Sequence, residues 1–369
     1  MARPVRVLIV DDSAVIRQLL STLLSEDPEI EVVGTAGDPY DARERIKALD
    51  PDVLTLDVEM PHMDGVTFLR KIMTLRPMPV VMISTLTQAG AETTIEALEI
   101  GAVDFIAKPT SDVANALAGL AAELTAKVKS AARARVGLRR IPAPAKTPHV
   151  DRPASSTAGI IAIGASTGGV EALKAVLTDM PAQCPPIVIT QHMPPRFTAA
   201  FAQRLNRECP IAVSEARHNE VVEPSHAYIA PGSHHLELVR FGSHYRCSLN
   251  EGPTVSGHRP SVDVLFQSVA CAAGAAAVGV ILTGMGKDGA QGLLEMRTAG
   301  AITLGQNEAS SLVYGMPRVA FERGAVMRQH SLSQMAGAIV DACDAIASLQ
   351  PPAAHSSRPI GVRRAGDAA

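Results

Sequence analysis

Short, mostly apolar runs alternate with helical patterns over most of this chain, and that alternation leaves few folds open. Runs at Val5–Val10, Ile30–Gly34, Val53–Leu56, Val80–Ile83 and Phe105–Ala107 lack the in-and-out pattern of a half-exposed strand, so they read as strands buried on both faces. Amphipathic stretches lie between them at Ser13–Leu24, Asp41–Leu49, Gly65–Leu75 and Ala91–Ile100, and a further helix is expected from Ser111 to about Ser130. Buried strands in strand–helix–strand order predict a parallel sheet covered by helices on both sides.

The pattern then stops. Residues Ala131 to Thr157 combine Arg133, Arg135, Arg139, Arg140 and Lys146 with Pro142, Pro144, Pro148 and Pro153 and keep no hydrophobic period, the mark of an extended, semi-rigid linker. Its basic charge reads as a solvated surface, with partner binding as the competing reading. The α/β alternation resumes at Gly159. Strands are expected at Ile160–Ile163, Ile187–Thr190, Ala227–Ile229, Val278–Leu282 and Ala301–Leu304, and helices at Val170–Asp179, Phe197–Asn206, Ser261–Ala272, Ala290–Ala299 and Gln334–Ser348. At 369 residues the chain exceeds one ordinary core. It divides into a domain at 1–125, a linker at 126–157, a second α/β domain at 158–349 and a disordered tail at 350–369.

Composition narrows the function classes. A formal net charge of −3 gives no drive toward nucleic acid or an anionic membrane, and aromatics at 3% with no Trp offer no stacking platform for single strands. Cys184, Cys209, Cys247, Cys271 and Cys343 form no CxxC pair, which fits reduced thiols in the cytoplasm. The N-terminus runs from Met1-Ala2-Arg3-Pro4 directly into a strand, without an apolar signal core. The longest apolar stretch, Val269 to Leu282, is too short to span a bilayer and reads as a helix end, a turn and a core strand.

Chemistry concentrates where strands end. Asp11 and Asp12 close the first run, Asp57 the third, Ser84 the fourth and Lys108 the fifth. Strand C-termini of a parallel sheet share one edge, where ligands bind. Three carboxylates and a lysine on that edge suit a Mg²⁺ ion beside an aspartate that accepts a phosphoryl group. Asp12 and Asp57 are the best direct ligands, Asp11 is close behind, and the backbone carbonyl of Glu59 completes the protein's share. Lys108 is a point charge for the phosphoryl oxygens, and Ser84 is placed to hydrogen-bond one of them. Any one of these residues alone would read as a strand-end cap. Together with Asp57-x-x-Met60-Pro61-x-x-Asp64-Gly65 and Lys108-Pro109, they resemble the response-regulator receiver domain. The resemblance implies a flavodoxin-like (βα)5 fold, phosphorylation of Asp57 by a histidine kinase, and sensing by Ser84 and Lys108.

In the second domain, Gly164-Ala165-Ser166-Thr167-Gly168-Gly169 joins a strand to a helix. As a dinucleotide loop it lacks GxGxxG spacing and a following ribose-binding acid; as a phosphate loop it lacks the Lys-Ser/Thr ending. As a G-x-S-x-G elbow it fits, with Ser166 held out at the sheet edge. His192 ends the next strand, and Asp288 lies in the glycine-rich turn Gly284-Met285-Gly286-Lys287-Asp288-Gly289 after a later one. These three can act as nucleophile, general base and orienting acid, without a metal or organic cofactor. Backbone N–H groups of Thr167, Gly168 or Met285 are candidates for an oxyanion hole. Adjacent His234 and His235 are poor chelators of one metal, and His218, His226 and His258 have no matching context. The order Ser, His, Asp departs from the Ser, acid, His order of α/β-hydrolases, so a doubly wound, mostly parallel sheet of another kind is expected.

Gly164–Gly169, Gln191–Pro194, Pro231-Gly232 and Leu282–Gly289, in that order behind a receiver, closely resemble the family of chemotaxis protein-glutamate methylesterases. The resemblance implies that Ser166, His192 and Asp288 form the triad. It also implies that the enzyme demethylates glutamate methyl esters of methyl-accepting chemoreceptors and deamidates selected glutamines. The linker and tail carry no pattern of the family. A receiver with a DNA-binding output is the rival of another class, but no compact basic reading helix follows. A hydrolase of small esters or peptide amides is a second rival. An adaptor with an inactive second domain is a third, and the intact Ser166, His192 and Asp288 speak against it.

Overall fold

The computed structural model describes residues 3–85, 87–108, 113–136 and 159–349. The tail at 350–369 and most of the linker, as well as Pro109, lie outside them.

In the first domain the elements are β1 (Val5–Val10), α1 (Ala14–Ser25), β2 (Ile30–Ala36), α2 (Pro39–Leu49), β3 (Val53–Asp57), α3 (Gly65–Leu75), β4 (Val80–Ser84), α4 (Gln88–Ile100), β5 (Asp104–Ala107) and α5 (Val113–Ala132). All five strands are parallel, in the order β2-β1-β3-β4-β5. Val7, Leu8, Ile9 and Val10 are wholly buried, as unalternating runs require of a sheet covered on both faces. Helix starts follow side-chain caps: Ser13 accepts from the Ile16 N–H, Asp38 from Tyr40 and Asp41, and Asp64 from Thr67. Gly65 is needed for a different reason. A Cβ there would sit 1.9 Å from the Asp57 carbonyl oxygen, so only glycine lets α3 begin against the end of β3. Helix α5 continues through residues 126–132, which are therefore helical and not linker.

The second domain contains β6 (Ile160–Ala165), α6 (Gly169–Thr178), β7 (Ile187–Gln191), α7 (Phe197–Glu208), β8 (Ala212–Glu215), β9 (His226–Ile229), β10 (His235–Phe241) and β11 (His244–Asn250). It continues with α8 (Val262–Ala273), β12 (Ala277–Ile281), α9 (Ala290–Thr298), β13 (Ile302–Gln306), α10 (Met316–Glu322), β14 (Arg328–His330) and α11 (Leu332–Leu349). Seven parallel strands run in the order β14-β13-β12-β6-β7-β9-β8. Strands β10 and β11 form a separate antiparallel hairpin. Helix α11 is long and apolar enough to cross a bilayer, but Met335, Ile339, Val340 and Ile346 bury that face in the core. The stretch Val269 to Leu282 is the end of α8, a turn at Gly274 and β12.

Both sheets reverse direction beside their first strand. The chain leaves β1 for β2 on one side and β3 on the other; it leaves β6 for β7 on one side and returns to β12 on the other. Each reversal opens a crevice at the strand C-termini, the usual binding place in such sheets.

Candidate active site and phosphoacceptor site

In the first crevice, ligand oxygens of Asp11, Asp12 and Asp57 all lie within 4.8 Å of one another. Lys108 Nζ reaches both buried acids, 3.2 Å from Asp11 Oδ2 and 2.8 Å from Asp57 Oδ2. Apart from this ammonium, those two oxygens have no hydrogen-bond partner among the described residues. Burial pushes the Asp57 carboxyl up to about 6, against the pull of Lys108 and with some help from Asp11. Burial also raises Asp11. A cluster of carboxylates that is costly to ionise, with open oxygens, fits a small hard cation. The Glu59 carboxylate is engaged by the Thr85 hydroxyl at 3.0 Å, and its N–H donates to Asp57 Oδ1 at 3.3 Å. Ser84 is buried, with its hydroxyl 2.6 Å from Thr94 Oγ1 of α4.

The second crevice lies over β7-β6-β12, three adjacent strands, and each brings one residue. Ser166 follows β6, His192 follows β7, and Asp288 lies in the turn between β12 and α9. The Ser166 Oγ is 3.1 Å from His192 Nδ1, and His192 Nε2 is 2.7 Å from Asp288 Oδ2. A carboxylate only accepts, so Nε2 carries the proton and the lone pair of Nδ1 faces the serine hydroxyl. The ring thus presents Nδ1 to the serine, a choice that spacing along the chain does not reveal.

The turn at Ser166 is tightly held. Ser166 N–H donates to Thr283 O at 3.0 Å, Gly169 N–H to Ser166 O at 2.7 Å, and the Gln191 amide to Ser166 O at 3.0 Å. Gly168 has φ +76°, a left-handed conformation that glycine adopts without strain. The N–H groups of Thr167, Gly168 and Met285 donate no hydrogen bond to another described residue. Asp288 is fixed by the start of α8: Oδ1 accepts from the Ser261 hydroxyl at 2.8 Å and Asp263 N–H at 3.1 Å, and Oδ2 from Val262 N–H at 2.7 Å. Burial pushes its carboxyl up. The bond and charge of His192, with the Val262 and Ser261 donors, outweigh that and bring it down to about 2. Asp288 is therefore ionised throughout the neutral range.

A profile of the family described as CheB methylesterase matches residues 161–339, and one of the response regulator receiver domain matches residues 7–117. A Caulobacter vibrioides protein named protein-glutamate methylesterase/protein-glutamine glutaminase 1 is 60% identical over 92% of this chain and 98% of its own length. The chain belongs to the CheB methylesterase family. A Xanthomonas campestris pv. campestris protein of the same name is 56% identical over 91% of this chain and 97% of its own. The Thermotoga maritima CheB methylesterase catalytic domain is 32% identical over 50% of this chain and 98% of its own, with a TM-score of 0.49.

In this CheB-family chain the receiver packs directly against the catalytic edge. The Thr167 hydroxyl, one residue from Ser166, donates to Asp104 Oδ2 of β5 at 2.5 Å in a buried contact. Lys127 of α5 holds Asp104 from the other side, 3.2 Å from Oδ1, and donates to the Phe105 carbonyl at 2.6 Å. The Phe105 ring lies 4.5 Å from Phe197 of α7. Glu99 of α4 pairs with Lys174 of α6 at 2.9 Å and with Arg204 of α7. A small cavity between the domains is lined by Asp104, Phe105, Ser166, His192 and Leu312. Sequence spacing shows nothing of Asp104 or Glu99, because each meets its second-domain partner only through domain packing; Lys127 bonds inside the receiver, to Asp104, Phe105 and Glu123.

The remaining histidines and thiols resolve simply. His235 is buried and bonded to Pro253 O and Ser261 N–H, while His234 pairs with Glu251; the two do not converge on a shared ligand. His258 does acquire a context: its ring is stacked on that of His192. All five cysteines are free, and burial pushes the Cys184 thiol up to about 11 and those of Cys247 and Cys343 to about 12.

Proposed function

We propose that this chain is a phosphorylation-activated protein-glutamate methylesterase in which Ser166, His192 and Asp288 do the chemistry. The observation that carries the reading is the continuous hydrogen-bonded line Ser166 Oγ, His192 Nδ1, His192 Nε2, Asp288 Oδ2 at the crevice of a chain from this family. The substrate is a glutamate methyl ester on a methyl-accepting chemoreceptor, and the setting is cytoplasmic, where five free thiols stay reduced.

His192 Nδ1 takes the Ser166 proton as Oγ attacks the ester carbonyl. Asp288 holds the tautomer and offsets the charge of the imidazolium. The free N–H groups of Thr167, Gly168 and Met285 are the donors for the developing oxyanion, each worth about 3 kcal/mol of barrier. The imidazolium returns its proton to the departing methoxide, methanol leaves, and an acyl-serine remains. Water, deprotonated by His192, then releases the glutamate carboxylate and restores Ser166. A glutamine side chain follows the same path with ammonia as the leaving group, which supports deamidation of selected receptor glutamines.

In the receiver, a histidine kinase serves as phosphodonor and Asp57 accepts the phosphoryl group. Asp11, Asp12, Asp57 and the Glu59 carbonyl would hold Mg²⁺, which supplies charge neutralisation between carboxylate and phosphoryl oxygens. Lys108 pairs with the phosphoryl group once it is present, and the Ser84 hydroxyl leaves Thr94 to bond it. That change repacks the end of β4 beside β5, whose Asp104 and Phe105 cover the catalytic turn, so phosphorylation loosens the cover.

Mass spectrometry of methylated receptor peptides tests the reading. The wild type removes the methyl ester mass and Ser166→Ala leaves it in place; unchanged peptides with the phosphorylated wild type would rule the substrate out.

A further inference from the structure

His258 is half-buried and its ring lies almost flat on that of His192, with centroids 3.8 Å apart and 13° between planes. The two hydrogen bonds of His192 run from its two ring nitrogens to Ser166 and Asp288. They fix where the ring's nitrogens point, but they leave the ring free to tilt about the line joining its two partners. A flat neighbour at contact distance blocks that tilt on one side and keeps water off that face.

The segment carrying His258 is itself rigid. His258 and Val255 exchange both backbone hydrogen bonds, at 2.9 and 3.0 Å, across a tight turn. The Arg259 guanidinium donates to Glu251 O and Gly252 O at 2.9 and 3.0 Å. Three residues further on, the same segment supplies the Ser261, Val262 and Asp263 donors that hold Asp288. One stretch, 255–263, thus grips both the face of the base and the acid behind it.

We propose that His258 is a positioning residue for this reaction: its ring holds His192 in the plane shared by Ser166 and Asp288 and shields one face of the imidazolium. The proposal rests on the ester-hydrolysis reading of the same site. The charged and titratable groups that bear on His258 are His192 beneath it, Asp288 after β12 and Lys127 of the receiver's α5. Burial first, then His192 and Lys127, hold its imidazole down at about 4 against the pull of Asp288. A ring that stays neutral adds no charge repulsion when His192 takes the serine proton.

The test is methanol release by full-length protein with a small-molecule phosphodonor and methylated receptor, comparing wild type, His258→Ala, His258→Phe and Ser166→Ala. We expect His258→Ala to lose about tenfold or more in kcat with KM within about twofold, and the acidic limb of its pH–rate profile to move upward as water reaches the imidazolium. His258→Phe keeps the flat neutral face and should recover most of kcat with the limb near its wild-type place. Wild-type kinetics in His258→Ala would overturn the proposal. So would His258→Phe being as impaired as His258→Ala while its circular dichroism matches the wild type. If wild type and Ser166→Ala were equally inactive, the ester-hydrolysis reading would fail instead.

Discussion

The two halves of this protein place their chemistry in the same way and use opposite electrostatics. Both put their key residues at the C-termini of adjacent parallel strands beside a reversal in strand order. In the receiver crevice, burial outweighs the nearby ammonium and Asp57 is lifted to about 6. In the catalytic crevice, four donors outweigh burial and Asp288 is lowered to about 2. The first carboxylate is short of partners and suited to receive a cation and a phosphoryl group. The second has every oxygen satisfied and is suited to orient a base. The fold fixes where the groups sit, while the donors around each carboxylate decide what it can do.

The comparison makes separable predictions. Ser166→Ala should lower ester hydrolysis by roughly 10⁴-fold or more while Asp57 still takes up label from a phosphodonor; loss of both would mean that the crevices are not independent. Asp288→Asn should approach the same loss in kcat, because its amide N–H would favour the wrong tautomer of His192. Asp104→Ala removes the buried bond to Thr167, of a charge-assisted kind worth about 1.5–3 kcal/mol. The unphosphorylated rate should then rise about tenfold, and a basal rate equal to wild type would remove β5 as the cover. Glu99→Gln should give a smaller rise of a few-fold, since its partners are partly exposed.

The smallest effect concerns stability. The folded-state value of Asp57 lies above its unfolded value near 3.8, so the native state binds the extra proton and stability falls as pH rises from about 4 to about 6. Asp57→Asn, measured with a chelator present, should stabilise the receiver at pH 7 by about 1–2 kcal/mol, after the loss of the Lys108 contact is set against the relieved charge. The advantage should vanish near pH 4. An Asp57→Asn receiver less stable than wild type at pH 7 would contradict the burial argument.

Much of this was legible in the sequence for physical reasons. Mostly apolar strands such as Val5–Val10 and Ile160–Ile163 announce themselves. The five strands expected in each half are present, although β12 begins at Ala277 and β13 at Ile302. The β10–β11 hairpin was missed because its buried Leu236, Leu238 and Cys247 alternate with exposed Val239 and Phe241; the Gly242-Ser243 turn was the available signal. Strands β8 and β14 are too short, at four and three residues, to show a period. Ser166, His192 and Asp288 were legible as a group because each follows a strand in a glycine- or proline-rich turn, and the structure brings the three within hydrogen-bond reach. Asp104 and His258 were not, since nothing near them in the chain predicts a contact across a domain boundary or a ring on top of another ring.

The central claim is that the receiver's crevice controls the catalytic one. The most direct measurement is the rate of methanol release from methylated receptor, with and without a phosphodonor, by the wild type and by Asp57→Asn. The account predicts a rise of about tenfold or more in the wild type and none in the variant. A wild-type rate indifferent to the phosphodonor, or an equal rise in Asp57→Asn, would contradict it.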